Sequence, residues 1–130
     1  MRIQSFLVVA LVALAACSYK PGPEVLETKR TLVTLGTAIE KYKKDLNKYP
    51  TALSELVDPP KAKEEAKKWK GPYIKDIPRD GWGNNFIYNP TGKNGAPYDL
   101  ISYGADSREG GAKDDQDLAR DPRSVLAPKK

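Results

Sequence analysis

The chain has 130 residues, a formal net charge of +5 and no histidine. Without histidine it cannot use imidazole for acid–base catalysis or for binding zinc or copper. The basic excess is modest and lies in lysine-rich segments without a stripe of arginines and interleaved aromatics, so we expect no nucleic-acid partner. We also expect no enzyme, because neither a nucleophile nor a recognisable pocket motif accompanies the carboxylates of the chain.

The first seventeen residues are typical of a secretory signal. Arg2 supplies a positive start, and Ile3–Ala16 is an almost uninterrupted apolar run of 14 residues that ends in small side chains. A helix needs about 20 apolar residues to span a bilayer, so export followed by cleavage is favoured over a permanent membrane span. Cys17 is the only cysteine, which excludes an intrachain disulfide.

The tetrapeptide LAAC, which ends at Cys17, is similar to the lipobox of bacterial lipoproteins. The resemblance implies cleavage just before Cys17 and a thioether-linked diacylglycerol that attaches the protein to the membrane. An ordinary signal peptide with a coincidental cysteine is the alternative. We expect an envelope protein in which residues 1–16 are the signal peptide and residues 17–23 are the lipidated tether. By analogy with enteric bacteria, Ser18 favours the outer membrane, with the protein facing the periplasm.

Residues 24–118 are predicted to form one globular domain, followed by a polar tail over residues 119–130. Apolar side chains recur at three- and four-residue steps, which predicts one long amphipathic helix; they are Val25, Leu32, Leu35, Ile39, Tyr42 and Leu46. We expect this helix to end at Tyr49-Pro50, because proline disfavours the helical conformation of the residue before it. Thr51 is the candidate N-cap of a short helical turn that follows.

The amino-acid composition changes along the rest of the domain. Lys61–Lys70 is predicted to be an exposed helical or mobile connector, since it offers little apolar surface before Trp69. Beyond it, glycines and prolines separate runs rich in Tyr, Ile and Phe, which favours short antiparallel strands. The candidate strands are Phe86–Asn89 and Tyr98–Tyr103, and the Asn94-Gly95 pair between them favours a tight turn. A helix followed by short strands predicts an α+β fold.

The last predicted strand runs into glycine turns and a cluster of carboxylates, Asp106, Asp114, Asp115 and Asp117. Calcium takes about six to eight oxygen ligands, and a tight loop can supply them from Asp side chains and backbone carbonyls. An EF-hand is excluded, because the third and fifth positions from Asp106 are neither acidic nor amide residues. A solvated acidic turn is the alternative, and spacing alone does not decide between the two.

Four segments carry a family resemblance; in order, they are AIEKYKKDLNKYP from Ala38, WKGPYIKDIP from Trp69, RDGWGNNFIY from Arg79 and YDLISYGADSREGG from Tyr98. They resemble the globular domain of the major pseudopilin of type II secretion systems. The resemblance implies a long N-terminal helix packed on a small antiparallel sheet that ends in a calcium-binding loop. It also implies a non-enzymatic accessory or interaction module of type II protein secretion, with secretion components as partners.

The same resemblance implies particular calcium ligands. The SYGAD segment matches the region of the family's first calcium aspartate, which implies Asp106 as a side-chain ligand and Tyr103 as a backbone carbonyl donor. The DQDL segment implies Asp115 and Asp117 as the closing acidic pair, with Asp114 as a substitute if the loop is shifted. Calcium is therefore the expected cofactor, and we expect it to stabilise the domain.

The family's leader and Gly-Phe cleavage point have no match at Gly22-Pro23. We therefore expect neither prepilin-peptidase processing nor polymerisation through a membrane helix. The alternative function is a free-standing envelope lipoprotein binding domain, unrelated to secretion, with an aromatic patch as its binding surface; the patch consists of Trp69, Tyr73, Trp82 and Tyr88. Core packing is the competing interpretation of these side chains, and we favour it because Trp and Tyr dominate burial in small domains.

Overall fold

The computed structural model describes residues 18–125. The helices are α1, Pro23–Leu46, and α2, Lys63–Lys68; the strands are β1, Ile87–Asn89, β2, Asp99–Ser102, and β3, Leu118–Ala119. Three short 3₁₀ turns complete the fold, at Leu53–Leu56, Lys113–Asp115 and Pro122–Val125. The α+β prediction is confirmed. The predictions for the signal peptide and for Cys17 lie outside the described residues.

Helix α1 buries the face that its apolar periodicity predicts. All six of the predicted side chains are buried, and Leu35, Ile39 and Tyr42 have no exposed surface. Burial of one such side chain contributes about 1.5–3 kcal/mol. The helix ends at Leu46, earlier than the predicted Tyr49-Pro50, because Asn47 adopts the left-handed conformation with φ 60° and its N–H donates to the carbonyl of Lys43. No helix within residues 18–125 is long and apolar enough to cross a membrane.

The short helical turn after α1 does not have the N-cap residue that the sequence predicts. Ala52, and not Thr51, precedes the Leu53–Leu56 turn, and no side chain caps that turn. The backbone N–H and the hydroxyl of Thr51 both donate to the carboxylate of Glu55 instead. Helix α2 buries no residue, as expected of an exposed helical connector.

The three strands form one antiparallel sheet in the order β1-β2-β3. Strand β2 is buried along its whole length, because it contacts both α1 and the Pro122–Val125 turn. The predicted Asn94-Gly95 turn forms, with φ values of 51° and 80°, and the N–H of Ala96 closes it onto the carbonyl of Lys93. The β1-β2 ladder ends at the Asn89–Asp99 pair, so this turn lies within a longer connection.

Ordered structure continues past residue 118. Ala119 pairs with Ile101, the N–H of Arg120 donates to the carbonyl of Leu100, and Ser124 is buried. These contacts cover the second edge of β2. The folded part therefore reaches at least Val125, beyond the boundary that the sequence predicts.

Candidate cation-binding loop

The acidic loop, residues 103–117, connects β2 to β3, and its two ends meet at Gly104. Gly104 has a φ of 75°, and a Cβ atom there would lie 2.6 Å from the carbonyl oxygen of Asp114. The N–H of Ala105 donates to that same carbonyl oxygen over 2.8 Å. A side chain at this position would therefore be excluded both by backbone conformation and by the close approach of the returning chain. Gly104, Ala105 and Asp114 form the stem of the loop.

The predicted side-chain ligands have different partners in the structure. Asp106 accepts the N–H of Arg108 over 3.0 Å, and Asp117 Oδ2 accepts the N–H of Gly110 over 3.0 Å. Asp114 accepts a hydrogen bond from the hydroxyl of Tyr19. Within residues 18–125, no group of three or more His, Cys, Asp or Glu side chains is gathered closely enough to hold a metal ion. The predicted ligand set stays a prediction.

One atom of the loop fits a cation. Asp117 Oδ1 is buried and has no hydrogen-bond partner among the residues that the structure describes. A buried carboxylate oxygen without a partner is destabilising, and a hard cation would satisfy it. Asp115 is exposed on the 3₁₀ turn just before it. Asp117 thus has a buried carboxylate oxygen at the closing end of the loop that a cation would satisfy.

The contact between Tyr19 and Asp114 joins the tether to the acidic loop. These residues are 95 positions apart in the sequence, so no local pattern indicates that they meet. The hydrogen bond to the Asp114 carboxylate raises the pKa of Tyr19, because it favours the protonated phenol. The segment that follows Cys17 therefore lies beside the candidate site.

A second polar cluster, centred on Asp80, was not predicted from the sequence. Asp80 is only 6% exposed, and one carboxylate oxygen accepts the N–H groups of Trp82 and Asn84 over 3.1 and 2.8 Å. Its other oxygen accepts the hydroxyl of Ser102 over 2.6 Å. An Asp two residues before a turn N–H is the usual signature of an Asx turn, so the RDGWGN segment holds a local signal for the backbone part of this cluster. Ser102 could not be found in that way.

The aromatic patch is mostly part of the core. Trp69, Tyr73 and Tyr88 pack against the hydrophobic cluster under α1. Their polar atoms donate to protein acceptors, namely the carbonyls of Glu55 and Pro50 and the carboxylate of Asp45. Trp82 is partly buried in the turn that follows Asp80. These contacts support core packing over a ligand-binding surface.

A long N-terminal helix, a small antiparallel sheet and an acidic loop between its last two strands define a pilin-like α+β protein. Residues 18–121 match the family described as Type II secretion system (T2SS), protein G. The chain belongs to this family.

Relatives and a solved structure agree with this assignment. The chain is 35% identical over 116 residues to the type II secretion system core protein G of Pseudomonas aeruginosa, covering 86% of this chain and 81% of the relative. It is 40% identical over 83 residues to the corresponding protein of Vibrio cholerae, covering 62% of this chain and 56% of the relative.

The fold is similar to the crystal structure of the major pseudopilin from the type 2 secretion system of enterohaemorrhagic Escherichia coli. The TM-score is 0.61 at 25% identity, and the match covers 74% of this chain and 84% of the pseudopilin chain. The predicted resemblance to the globular domain of the major pseudopilin is therefore confirmed.

Proposed function

We propose that this protein is a non-enzymatic, lipid-anchored pseudopilin-like component of type II protein secretion, acting as an accessory or interaction module at the bacterial envelope. The observation that carries the proposal is the family match, which extends through α1, the whole of β1 and β2, and the acidic loop. The Trp69, Tyr73 and Tyr88 side chains pack against the hydrophobic core. A separate binding domain with an aromatic surface therefore has less support.

A secretion assay tests this function. Deletion of the protein should lower the fraction of type II substrates that reaches the medium, and these substrates should accumulate in the periplasm. Complementation with the wild-type chain should restore secretion, and crosslinking in intact cells should recover type II secretion components. Unchanged secretion together with only unrelated crosslinked partners would favour the free-standing envelope binding domain.

The acidic loop is the proposed calcium site. Asp106, Asp115 and Asp117 would supply side-chain oxygens and Tyr103 a backbone carbonyl, with Asp114 as the substitute ligand. Calcium would supply positive charge among carboxylates that otherwise repel one another by about 1–4 kcal/mol per pair at ~4 Å. The buried, unpartnered Oδ1 of Asp117 supports a cation at the closing end of the loop.

Thermal unfolding of the purified full-length chain in detergent tests the calcium site. A cation that binds only the folded state adds about 2.7 kcal/mol at a hundredfold excess over Kd. Extracellular sites often have a Kd of about 0.1–1 mM, so the titration should reach several times that range. The Tm should rise with calcium in wild type and in the matched control Asp76→Asn, which removes an exposed charge outside the loop.

The rise should be lost in Asp106→Asn and in Asp117→Asn, and magnesium should produce a smaller rise because it demands a smaller and stricter octahedron. If wild type melts at the same temperature in chelator and in calcium, the loop is a solvated acidic turn.

A further inference from the structure

Asp80 is a buried acidic residue, and one of its partners, Ser102, ends the strand that leads into the acidic loop. A carboxylate is costly to bury unless donors replace the water that it loses. Asp80 has three such donors: two backbone N–H groups of its own turn and the hydroxyl of Ser102. The hydroxyl comes from the last residue of β2, which has no exposed surface.

The hydrogen bond to Asp80 fixes the direction of the Ser102 hydroxyl. An ionised carboxylate can only accept, so Ser102 gives its single proton to Asp80 and keeps its lone pairs for another donor. That donor is the N–H of Gly104, 3.2 Å away. The carbonyl of Gly104 is held from the same turn, because Asn84 Nδ2 donates to it over 3.4 Å. Both polar backbone groups of Gly104 are therefore anchored to the Asp80 turn.

Gly104 is the residue at which the two ends of the acidic loop meet. We propose that Asp80, acting through Ser102, is the positioning residue of the loop. It fixes Gly104, and Gly104 fixes the stem formed by Ala105 and the carbonyl of Asp114. Asp80 is not one of the proposed ligands and reaches the loop through Ser102 and the Gly104 N–H. Its effect on calcium affinity rests on the proposed calcium site, whereas its effect on loop order does not.

Thr28 offers a comparison, because it contacts the same turn at Gly81. Its hydroxyl accepts the N–H of Gly81 over 2.8 Å and donates to the carbonyl of Glu24 in α1 over 2.8 Å. Thr28 and Ser102 both have no exposed surface, and each hydroxyl accepts one N–H and donates to one oxygen. Only Ser102 connects to the loop. Thr28→Val and Ser102→Ala thus each remove one accepted and one donated hydrogen bond, although Ser102 donates to a carboxylate and Thr28 to a backbone carbonyl. The comparison therefore rests on loop exchange and not on the size of the stability loss.

The experiment uses the full-length chain in detergent and follows amide hydrogen exchange over residues 104–117 in chelator, together with the calcium Kd. Ser102→Ala should speed exchange across the loop and weaken calcium binding by about tenfold, as expected when a group behind the ligands is lost. Thr28→Val should lower the Tm but leave loop exchange and Kd at wild-type values. Asp80→Asn should speed loop exchange in the same direction but by less, because its amide would donate to the serine hydroxyl, which keeps a second lone pair for the N–H of Gly104.

Asn84→Ala is the milder variant if Ser102→Ala does not fold, since it removes only the bond to the Gly104 carbonyl; it should change loop exchange in the same direction. Equal effects of Thr28→Val and Ser102→Ala on loop exchange would overturn the positioning role. Loop exchange that is unchanged in both Ser102→Ala and Asn84→Ala would overturn it as well. If wild type binds no calcium, the calcium function fails, and selective loss of loop protection in Ser102→Ala still supports the positioning role.

Discussion

Tyr42 and Glu55 form a partly buried hydrogen-bonded pair between α1 and the Leu53–Leu56 turn. The Tyr42 hydroxyl donates to Glu55 Oε2 over 2.7 Å, and Thr51 donates to the same carboxylate. Burial disfavours ionisation of Glu55, but the hydrogen bonds from Thr51 and Tyr42 outweigh it and lower the pKa of the carboxyl group. Burial and the hydrogen bond to Glu55 raise the pKa of Tyr42. The donor is therefore neutral and the acceptor charged at neutral pH.

Tyr42→Phe should lower the free energy of unfolding by about 1.5 kcal/mol, because it removes a partly buried hydrogen bond to a charged group. Urea unfolding at neutral pH measures the difference. Tyr103→Phe is the control, since the Tyr103 hydroxyl makes no hydrogen bond within the part of the chain that the structure describes; its effect should stay below about 0.5 kcal/mol. Equal losses in the two variants would show that the pair does not contribute.

The Glu55 carboxylate should also give a defined pH dependence. Its pKa is lowered in the folded state, so its contribution to stability is present above the unfolded value of 4.5 and is lost as the pH falls through the folded value. Glu55→Gln should therefore destabilise the protein at neutral pH, and the difference from wild type should shrink in acid. Urea unfolding across this range measures it. A difference independent of pH would mean that the charge of Glu55 is not responsible.

At the scale of elements, the C-terminus of α1 depends on one backbone conformation. Asn47 has φ 60° and ψ 22°, and its N–H closes the last turn onto the Lys43 carbonyl over 2.7 Å. This left-handed conformation is unfavourable for most L-residues and easy for glycine. The helix stops here because Asn47 tolerates that conformation.

Asn47→Ala should lower the free energy of unfolding by about 1 kcal/mol, because alanine is strained in the left-handed region. Asn47→Gly should stay within about 0.5 kcal/mol of wild type, since glycine adopts this conformation freely while adding flexibility to the unfolded chain. Thermal and urea unfolding of the two variants give the comparison. If alanine is tolerated as well as glycine, the helix end does not depend on this residue.

The elements that could be predicted from sequence are those whose signal is local. The periodic spacing of apolar residues from Val25 to Leu46 indicates a buried helix face, and the Asn94-Gly95 pair indicates a turn. The Leu118–Ala119 strand is too short to show a period, and it exists because β2 has an edge to pair. Its position could come only from the tertiary structure.

The candidate site also has some features that the sequence indicates and others that only the tertiary structure shows. The acidic residue types and the glycines of the loop are visible in the sequence. The contacts of Tyr19 with Asp114 and of Asp80 with Ser102 join residues 95 and 22 positions apart, so sequence spacing cannot indicate them. The orientation of each carboxylate also depends on these partners.

At the scale of the whole molecule, the tether and the acidic loop lie at the same end. Tyr19 contacts Asp114, whereas α1 extends 24 residues away from the tether, about 36 Å at 1.5 Å per residue. The last turn of α1 carries Lys43 and Lys44. A lipid on Cys17 would therefore hold the acidic loop near the membrane, one helix length from the basic last turn of α1.

Cys17→Ser should abolish acylation and leave either the uncleaved precursor or a soluble species. Wild type should resist extraction by high salt and dissolve in detergent, because several acyl chains hold a protein firmly whereas one chain binds only marginally. Ser18→Asp is the matched variant: it should keep the lipid but move the protein to the inner-membrane fraction, if the sorting signal of enteric bacteria applies. Mass spectrometry of the N-terminal peptide and membrane fractionation give the two readouts. An unmodified mature N-terminus on the wild-type envelope protein would contradict lipid anchoring.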